Sequence, residues 1–349
     1  MTTVLVTGGC GFIGSHFVRM LSNFSGVRIV NLDKLTYAAN PENLGDIAVP
    51  YYEFIRGDIA EQELVEDILR REKPWAVVNF AAESHVDRSI LDSSPFLQTN
   101  INGVQVLLEC VRKYPVERFL QISTDEVYGD REDKAPATED SCLLPSSPYA
   151  ASKAAADLLC LSYRRTYDLP IIITRSANNY GPHQFPEKFL PLVLRNALAG
   201  MKLPVYGDGG QIRDWLYVED NCRALMMVLE KAEPGAIYNI GTGEERTNLS
   251  VVRAICTALA KQLRVDSRRF EQHIESVADR PGHDRRYVLN TAKVAREIGW
   301  TPSTPFAEGL ERAVRWYVDH PQWVKGVTSG EYLNYYDAVY SRNWQNSSK

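Results

Sequence analysis

The stretch Val4-Leu-Val-Thr-Gly-Gly-Cys-Gly-Phe-Ile-Gly14 decides the fold of this chain. A short β-rich run ends at Thr7, glycines follow, and residues 16–21 show an apolar pattern typical of a helix. Glycines at this place permit a tight turn, let backbone N–H groups approach a pyrophosphate, and allow the helix to pack close to the strand. The sequence therefore predicts a strand, a dinucleotide-binding loop and a helix in this order.

Strand and helix signals alternate beyond this loop. Further β-rich runs occupy residues 28–33, 74–81, 118–123 and 170–174, with helix-length stretches between them. Such alternation predicts an α/β protein with a Rossmann-like, doubly wound parallel sheet. After about residue 180, Pro and Gly become frequent, which indicates loops that lead into a smaller C-terminal α/β substrate lobe.

We expect two lobes and a tail. A dinucleotide-binding domain is expected at residues 1–180 together with roughly 214–242, and a substrate-binding lobe at 181–213 and 243–327. Helices are predicted near 218–231, 249–263 and 306–318, and residues 328–349 form a polar C-terminal tail.

Composition excludes several classes of protein. The chain has 349 residues and a formal net charge of −5, so a nucleic-acid partner is not expected. It shows neither an apolar run long enough to cross a bilayer nor a signal peptide, so we expect a cytoplasmic protein without a membrane partner. The 6 cysteines are scattered, which favours free thiols and predicts no metal site.

The residues after the second strand indicate which dinucleotide is bound. Asp33 ends that run, where a carboxylate can bind ribose hydroxyls and would repel a 2′-phosphate, so NAD is preferred over NADP despite the neighbouring Lys34. Asp58 follows the next strand and either reaches the adenine edge or caps a helix.

Two pairs of residues carry the candidate chemistry. Tyr149 and Lys153 lie four positions apart behind Ser147 and Pro148, so both side chains share one face of a helix. An ammonium beside a phenol favours phenolate, which would let Tyr149 act as a base. The adjacent carboxylates of Asp125 and Glu126 supply a further acid and base, unless they form only a solvated turn.

These motifs together resemble the extended short-chain dehydrogenase/reductase family. The resemblance runs from Val4 to about Tyr317 and rests on residues 7–14, 32–37, 81–89, 123–129, 148–153, 178–182, 186–188, 213–215 and 279–287. Within that family, the chain resembles lyases that use NAD to oxidise dTDP-glucose at C4, remove water across C5 and C6, and return the hydride to C6.

The resemblance implies a role for each catalytic candidate. Tyr149 and Lys153 would serve C4 oxidation, with Thr124 hydrogen-bonded to the sugar oxygen. Asp125 would be the acid and Glu126 the base of water loss, an order that the residues alone do not settle. The implied cofactor site comprises Gly8, Gly11, Phe12, Ile13, Gly14, Asp33, Lys34, Leu35, Thr36, Asp58, Ile59, Phe80, Ala81, Ala82, Ser84, Thr99, Tyr149, Lys153 and Asn179.

The resemblance also implies a nucleotide-sugar site in the second lobe. Its expected residues are Ser84, Thr124, Asn178, Glu187, Lys188, Phe189, Pro204, Tyr206, Arg213, Asn248, Arg280 and His283. Lys188 and Arg213 match the charge of the phosphates, and Tyr206 could stack on the pyrimidine. His16 and His85 are expected to be structural.

Alternatives remain open at this point. A UDP-glucose 4,6-dehydratase would use the same chemistry, a nucleotide-sugar 4-epimerase would need only Thr124, Tyr149 and Lys153, and a redox-sensing binding protein would need none of these side chains. The chain departs from the family pattern at His183-Gln184 and at Arg175-Ser-Ala177, which weakens any inference about the pyrimidine. By family analogy we expect a homodimer formed through helices at residues 99–114 and 149–167.

Overall fold

The computed structural model describes residues 1–47 and 51–328. The predicted polar tail lies outside the described residues from position 329 onward. No helix in the described ranges combines the length and the apolar character that a membrane crossing requires.

A seven-stranded parallel sheet forms the centre of the molecule. Its strands are β1 (Thr2–Thr7), β2 (Val27–Asp33), β3 (Tyr52–Arg56), β4 (Ala76–Asn79), β5 (Arg118–Thr124), β6 (Ile171–Ser176) and β10 (Ile237–Ile240). They are ordered β10-β6-β5-β4-β1-β2-β3, the Rossmann arrangement extended by one strand. The inner strands read as continuous apolar runs because both faces of the sheet are covered. The predicted fold class is confirmed.

Helices cover both faces of this sheet. They are α1 (Phe12–Ser22), α2 (Gln62–Glu72), α3 (Val86–Leu91), α4 (Ser94–Phe96), α5 (Val104–Lys113), α6 (Pro148–Tyr167) and α8 (Val218–Lys231). One core unites α1 and α8 on one face, through residues such as Phe17 and Leu225. A second core unites α2, α5 and α6 on the other face, through residues such as Ile68 and Leu107.

A third core belongs to the smaller lobe. Its helices are α7 (Phe189–Leu198), α9 (Asn248–Leu263), α10 (Arg268–Glu271), α12 (Phe306–Asp319) and α13 (Pro321–Val327). Its strands are β7 (Asn178–Tyr180), β9 (Ile212–Tyr217) and β11 (Glu245–Thr247) in one sheet, with β8 (Leu203–Tyr206) and β12 (Ile274–Val277) in another. Leu190, Ile255 and Leu310 join α7, α9 and α12 in this core.

Two features differ from the sequence expectation. Helix α7 follows the predicted loop directly; its apolar run was missed because Pro191 interrupts it, although a proline is tolerated in a first helical turn. The segment α11 (Ala292–Ile298) was assigned to the second lobe, but Val294, Ile298 and Trp300 pack into the core around α1 and α8. The predicted boundaries of the two lobes stay a prediction.

Candidate active site

The glycine loop between β1 and α1 is shaped for close approach. Gly8 has a φ of +70°, and a Cβ on it would lie 2.6 Å from the backbone nitrogen of Ala81. A Cβ on Gly14 would overlap the carbonyl oxygen of Gly8. These glycines thus keep the start of α1 against the strand edge, where free N–H groups fit a pyrophosphate.

Asp33 holds this loop at the end of β2. Its two carboxylate oxygens accept the backbone N–H groups of Cys10 at 2.9 Å and Leu35 at 2.8 Å. Burial raises the pKa of Asp33, and these two hydrogen bonds oppose that shift. A side chain placed this way supports the loop and still lines the cavity beside it.

Lys34 and Asp58 form an ion pair of 2.7 Å on the rim of this cavity. Asp58 also accepts the backbone N–H of Ala60 at 3.0 Å. Helix α2 begins at Gln62 after Glu61, so the alternative that Asp58 caps this helix is wrong. Asp58 instead stabilises the turn before the helix and faces the cavity.

The first cavity has a volume of about 300 Å³ and opens above the carboxyl ends of β1, β2, β4 and β5. Its walls include every predicted cofactor residue except Leu35, whose side chain packs on the core. Residues not predicted for the site also line this cavity, among them Ser123, Gln184 and Phe185.

A second cavity of about 150 Å³ adjoins the first in the smaller lobe. Its walls include every predicted substrate residue except Thr124, which lines the first cavity instead. Five residues belong to the walls of both cavities: Ser84, Glu126, Asn178, Glu187 and Lys188. The predicted cofactor and substrate sites are therefore neighbours with a common wall.

The adjacent carboxylates lie in that region because β5 ends at Thr124 and a 3₁₀ turn, Asp125–Tyr128, follows. The hydroxyl of Thr124 donates to Asp125 Oδ1 at 3.2 Å and accepts the backbone N–H of Glu126 at 3.3 Å. Asp125 Oδ2 and Glu126 Oε2 are buried without a hydrogen-bond partner among the described residues. The alternative of a solvated turn is wrong.

Burial and charge give these two carboxyl groups different protonation behaviour. Burial, together with the neighbouring Glu126, raises the pKa of Asp125 to about 8. Burial also raises the pKa of Glu126, but the cations Arg280, Arg213 and Lys188 oppose that shift. Asp125 is thus suited to stay protonated near neutral pH beside a carboxyl group that has three cations to stabilise its ionised form.

Tyr149 and Lys153 share one face of α6, as predicted, and both line the first cavity. Ser147 caps this helix by accepting the N–H of Ala150 at 3.1 Å, and Pro148 occupies its first turn. Lys153 Nζ donates to the carbonyl of Ile122 at 2.6 Å.

The protonation of Tyr149 and Lys153 differs from the expectation that the lysine favours a phenolate. Burial, with the nearby Glu126, raises the pKa of Tyr149 instead of lowering it. Burial lowers the pKa of Lys153, whose ammonium is directed at the carbonyl of Ile122. The phenolate is therefore not the resting form in this structure.

Cations and an aromatic ring gather around the second cavity. Arg213 on β9 donates to the carbonyl of Asp284 at 2.9 Å, and its guanidinium lies 4.1 Å from the ring centroid of Tyr287. Lys188 donates to the carbonyl of Ser84, while Arg280 pairs with Asp87 at 2.7 Å. Three cations in one small cavity suit an anionic ligand such as a diphosphate.

Sequence reasoning missed Asp87 and Tyr287 in this cavity. Asp87 lies within the quoted run 81–89, where the charged residues Asp87 and Arg88 follow His85 after one intervening valine, and this was the available signal. His85 Nε2 donates to the carbonyl of Glu187 at 3.3 Å, and His16 Nε2 donates to the carbonyl of Pro182 at 2.9 Å. Within residues 1–47 and 51–328, no cluster of three or more metal-ligating side chains occurs.

Comparison with known proteins gives consistent matches. A family model described as GDP-mannose 4,6 dehydratase matches residues 5–313. The chain is 48% identical to a dTDP-glucose 4,6-dehydratase of Xanthomonas campestris pv. campestris (strain B100), over 95% of this chain and 97% of that protein.

Solved structures of similar proteins include a dehydratase and an epimerase. A dTDP-glucose 4,6-dehydratase from Streptomyces venezuelae, solved with NAD bound, has a TM-score of 0.87 and 45% identity over 93% of this chain and 100% of that chain. A UDP-glucose 4-epimerase from Thermotoga maritima has a TM-score of 0.84 and 30% identity over 92% of this chain and 100% of that chain.

Proposed function

Because the chain belongs to the GDP-mannose 4,6 dehydratase family of extended short-chain dehydrogenase/reductases, we propose that it is an NAD-dependent lyase that dehydrates dTDP-glucose. The product is dTDP-4-keto-6-deoxyglucose. The observation that carries this proposal is the buried pair Asp125 and Glu126 beside Tyr149 in one cavity.

The residues of the first cavity fit the cofactor. The glycine loop between β1 and α1 would hold the pyrophosphate, since a Cβ at Gly8 or Gly14 would meet backbone atoms. Asp33 would face the adenosine ribose, and Lys153 the nicotinamide ribose. When bound, NAD supplies a hydride acceptor and later returns the hydride.

The first step oxidises C4 of the sugar. Tyr149 takes the proton of the 4-hydroxyl while Thr124 hydrogen-bonds the same oxygen, and hydride leaves C4. Because the pKa of Tyr149 is raised in this structure, the phenol needs additional positive charge before it can act as a base. Lys153 would provide that charge if its ammonium turned from the carbonyl of Ile122 toward the phenol, and bound NAD would add the charge of its nicotinamide ring.

The second step removes water across C5 and C6. The new 4-ketone acidifies the C5 proton, which Glu126 accepts as an ionised base. Asp125, protonated because burial raises its pKa to about 8, donates to the departing 6-hydroxyl. Glu126 would then return its proton to C5 as hydride reaches C6, so the reaction would leave bound NAD in its starting form.

The second cavity fits the nucleoside diphosphate. Lys188, Arg213 and Arg280 bring three cations to it, and Tyr206 offers an aromatic face for a pyrimidine. Thymine and uracil differ by one methyl group, worth roughly 1 kcal/mol of burial, so dTDP-glucose and UDP-glucose deserve direct comparison.

An Arg213→Ala variant should raise KM through lost binding energy and leave kcat less affected.

A 4-epimerase is the second candidate, because the Thermotoga maritima epimerase shares the fold. Such a reaction would need only Thr124, Tyr149 and Lys153 of this chain. It does not need two unpartnered, buried carboxyl groups next to the tyrosine. The lower identity to the epimerase, 30% against 45% for the dehydratase, points the same way.

One labelling experiment distinguishes the dehydratase from the epimerase. The purified protein would be mixed with dTDP-glucose or UDP-glucose deuterated at C4, and the label located by NMR. Deuterium at C6 together with loss of water supports the dehydratase, whereas deuterium retained at C4 with an inverted hydroxyl supports the epimerase. The relative rates of the two substrates identify the preferred nucleotide.

The homodimer and the cytoplasmic location stay predictions. Helices α5 and α6 pack beside each other on one face of the sheet, and Leu158 of α6 keeps 57% of its surface exposed. Leu91 at the end of α3 and Leu97 directly after α4 are also largely exposed. An apolar surface of this kind supports an interface with a second copy of the chain.

A further inference from the structure

Asp87 occupies an unusual place in the second cavity. It is the second residue of α3, is buried, and belongs to the cavity wall. Its Oδ1 accepts Arg280 Nη1 at 2.7 Å, and its Oδ2 accepts the hydroxyl of Tyr206 at 3.1 Å. One carboxylate of the sheet domain thus holds two side chains that come from the smaller lobe.

A carboxylate at this position needs an explanation. Burial opposes ionisation, but the ion pair with Arg280 and the nearby His85 hold the pKa of Asp87 below its usual value. An ionised carboxylate repels the phosphates that this cavity is proposed to bind. Both oxygens of Asp87 are already engaged by protein groups, so a direct bond to an anionic ligand is unfavourable.

The bonds of Asp87 leave particular groups facing the cavity. Arg280 Nε is buried without a hydrogen-bond partner among the described residues, and Arg280 lines the cavity. The Tyr206 ring stands edge-on to His283, with centroids 5.8 Å apart. By fixing Nη1 and the phenol hydroxyl, Asp87 sets the rotation of the guanidinium and of the ring.

We propose that Asp87 is a positioning residue that orients Arg280 and Tyr206 toward the nucleoside diphosphate of the substrate. This inference rests on the proposed function, since it names the part of that substrate on which Asp87 acts. It is independent of the chemical step, because Asp87 lies outside the wall of the first cavity.

Asp87→Asn is the primary test. It retains the size of the side chain and removes the charge that orients Arg280. We expect the KM for dTDP-glucose and the Kd for dTDP, measured by calorimetry, each to rise about tenfold, which corresponds to about 1.4 kcal/mol. We expect kcat to change by less than about threefold, because uniform binding energy is lost.

A double-mutant cycle separates positioning from a general structural effect. In an Arg280→Ala background, Asp87→Asn should raise the Kd for dTDP by less than about twofold, because its charged partner is already gone and the asparagine oxygen can still accept the Tyr206 hydroxyl. Additive effects of the two substitutions would overturn the proposal. So would a fall in kcat with an unchanged KM.

Tyr206→Phe keeps the test decisive if Asp87→Asn does not fold. This variant preserves the ring and removes only the hydroxyl that reaches Asp87. It should raise the Kd for dTDP about two- to threefold, less than loss of the charged bond, because neutral hydrogen bonds are weaker. An unchanged Kd would contradict the proposal.

A matched control and a separate readout complete the design. Asp67→Asn removes a carboxylate from an exposed pair with Arg70 on α2 and should leave KM and Kd unchanged. Because the Kd for dTDP requires no turnover, it reports on Asp87 even if dTDP-glucose is not dehydrated. Absence of turnover would sink the proposed function, whereas an equal Kd for the Asp87→Asn variant and the unaltered protein would sink this inference.

Discussion

Asp125 and Glu126 are adjacent in sequence, but their surroundings distinguish them. Asp125 has its pKa raised to about 8 by burial and by Glu126, while three cations oppose the upward shift at Glu126. One environment thus supports an acid and a base at the same pH, which is the arrangement that an elimination of water requires.

Loss of either carboxyl group should slow elimination while NAD binding is retained. Asp125→Asn and Glu126→Gln should each reduce the rate of water loss by about 10²- to 10⁴-fold, the usual contribution of a general acid or base. Single-turnover formation of the 4-keto-6-deoxy product checks this, with NAD affinity as the control. Full dehydration rates in both variants would remove the basis of the assigned roles.

The pH dependence of kcat should show the loss of the proton from the general acid, Asp125. Asp125 is protonated below a pKa of about 8 and loses its proton as the pH rises through that value. Dehydration should therefore decline above about pH 8, and this decline should be absent in Asp125→Asn. A profile that stays flat to pH 9.5 in the unaltered enzyme would contradict the assignment.

Asp125 should also lower the stability of the folded protein at neutral pH. In the unfolded chain its carboxyl group ionises near its ordinary pKa, whereas in the folded protein it stays protonated to about pH 8. Folding must keep that proton, so the penalty grows as the pH rises from about 4 toward 8. Asp125→Asn should melt at a higher temperature than the unaltered protein at pH 7, and the difference should shrink at pH 5.

At the scale of single elements, the connection from β1 to α1 depends on glycine. Gly14→Ala places a Cβ against the carbonyl of Gly8, so α1 must move away from the strand. NAD affinity should fall at least about tenfold, or about 1.4 kcal/mol. Gly45→Ala is the matched control, since its nearest neighbour would be 3.5 Å away and its φ is −66°. Equal NAD affinities for the two variants would contradict this prediction.

The C-terminal helices α12 and α13 are attached to the loop before α7 by an aromatic cluster. His183 contacts Trp316, with ring centroids 4.5 Å apart, and it also contacts His16 and Trp323. Burial lowers the pKa of His183 to about 3 and that of His16 to about 4, and the charges of Arg19 and His320 add to the shift at His183, opposed by Asp46. Both histidines are therefore neutral in the folded protein.

This cluster should make the protein sensitive to acid. A histidine with a depressed pKa stabilises the fold fully above its unfolded pKa of about 6.5, and that contribution is lost as the pH falls below it. The melting temperature should drop between pH 7 and pH 5, and His183→Tyr should reduce the drop by a few degrees. His273→Tyr, on the second lobe, is the control and should leave the drop in melting temperature unchanged. An equal drop between pH 7 and pH 5 in the two variants would refute the role of His183.

The elements that the sequence predicts are those with local signals. The glycine loop, the turn signals around α6 and the apolar run of α8 are each specified within a few residues. The bond between Asp87 and Arg280 joins positions that are 193 residues apart, and no local pattern encodes it. The protonation of Tyr149 could not be predicted either, because it depends on burial and on Glu126 across the cavity.

At the scale of the whole molecule, a dimer should form through the face that carries α5 and α6. Leu158→Asp introduces a charge into an apolar surface, so a dimer built there should dissociate. Light scattering coupled to size exclusion should show the mass of one chain instead of two. Leu263→Asp, at the end of α9 in the smaller lobe, should leave the mass unchanged. A dimer that survives Leu158→Asp would place the interface elsewhere.

The common wall of the two cavities has a consequence for metabolism. Ser84, Glu126, Asn178, Glu187 and Lys188 line both cavities, so a sugar nucleotide bound in one would lie directly beside a dinucleotide bound in the other. Each catalytic cycle consumes no reducing equivalent, and the same dinucleotide molecule can serve many successive cycles. Flux through the enzyme would then follow the supply of sugar nucleotide and be indifferent to the ratio of NAD to NADH in the cell.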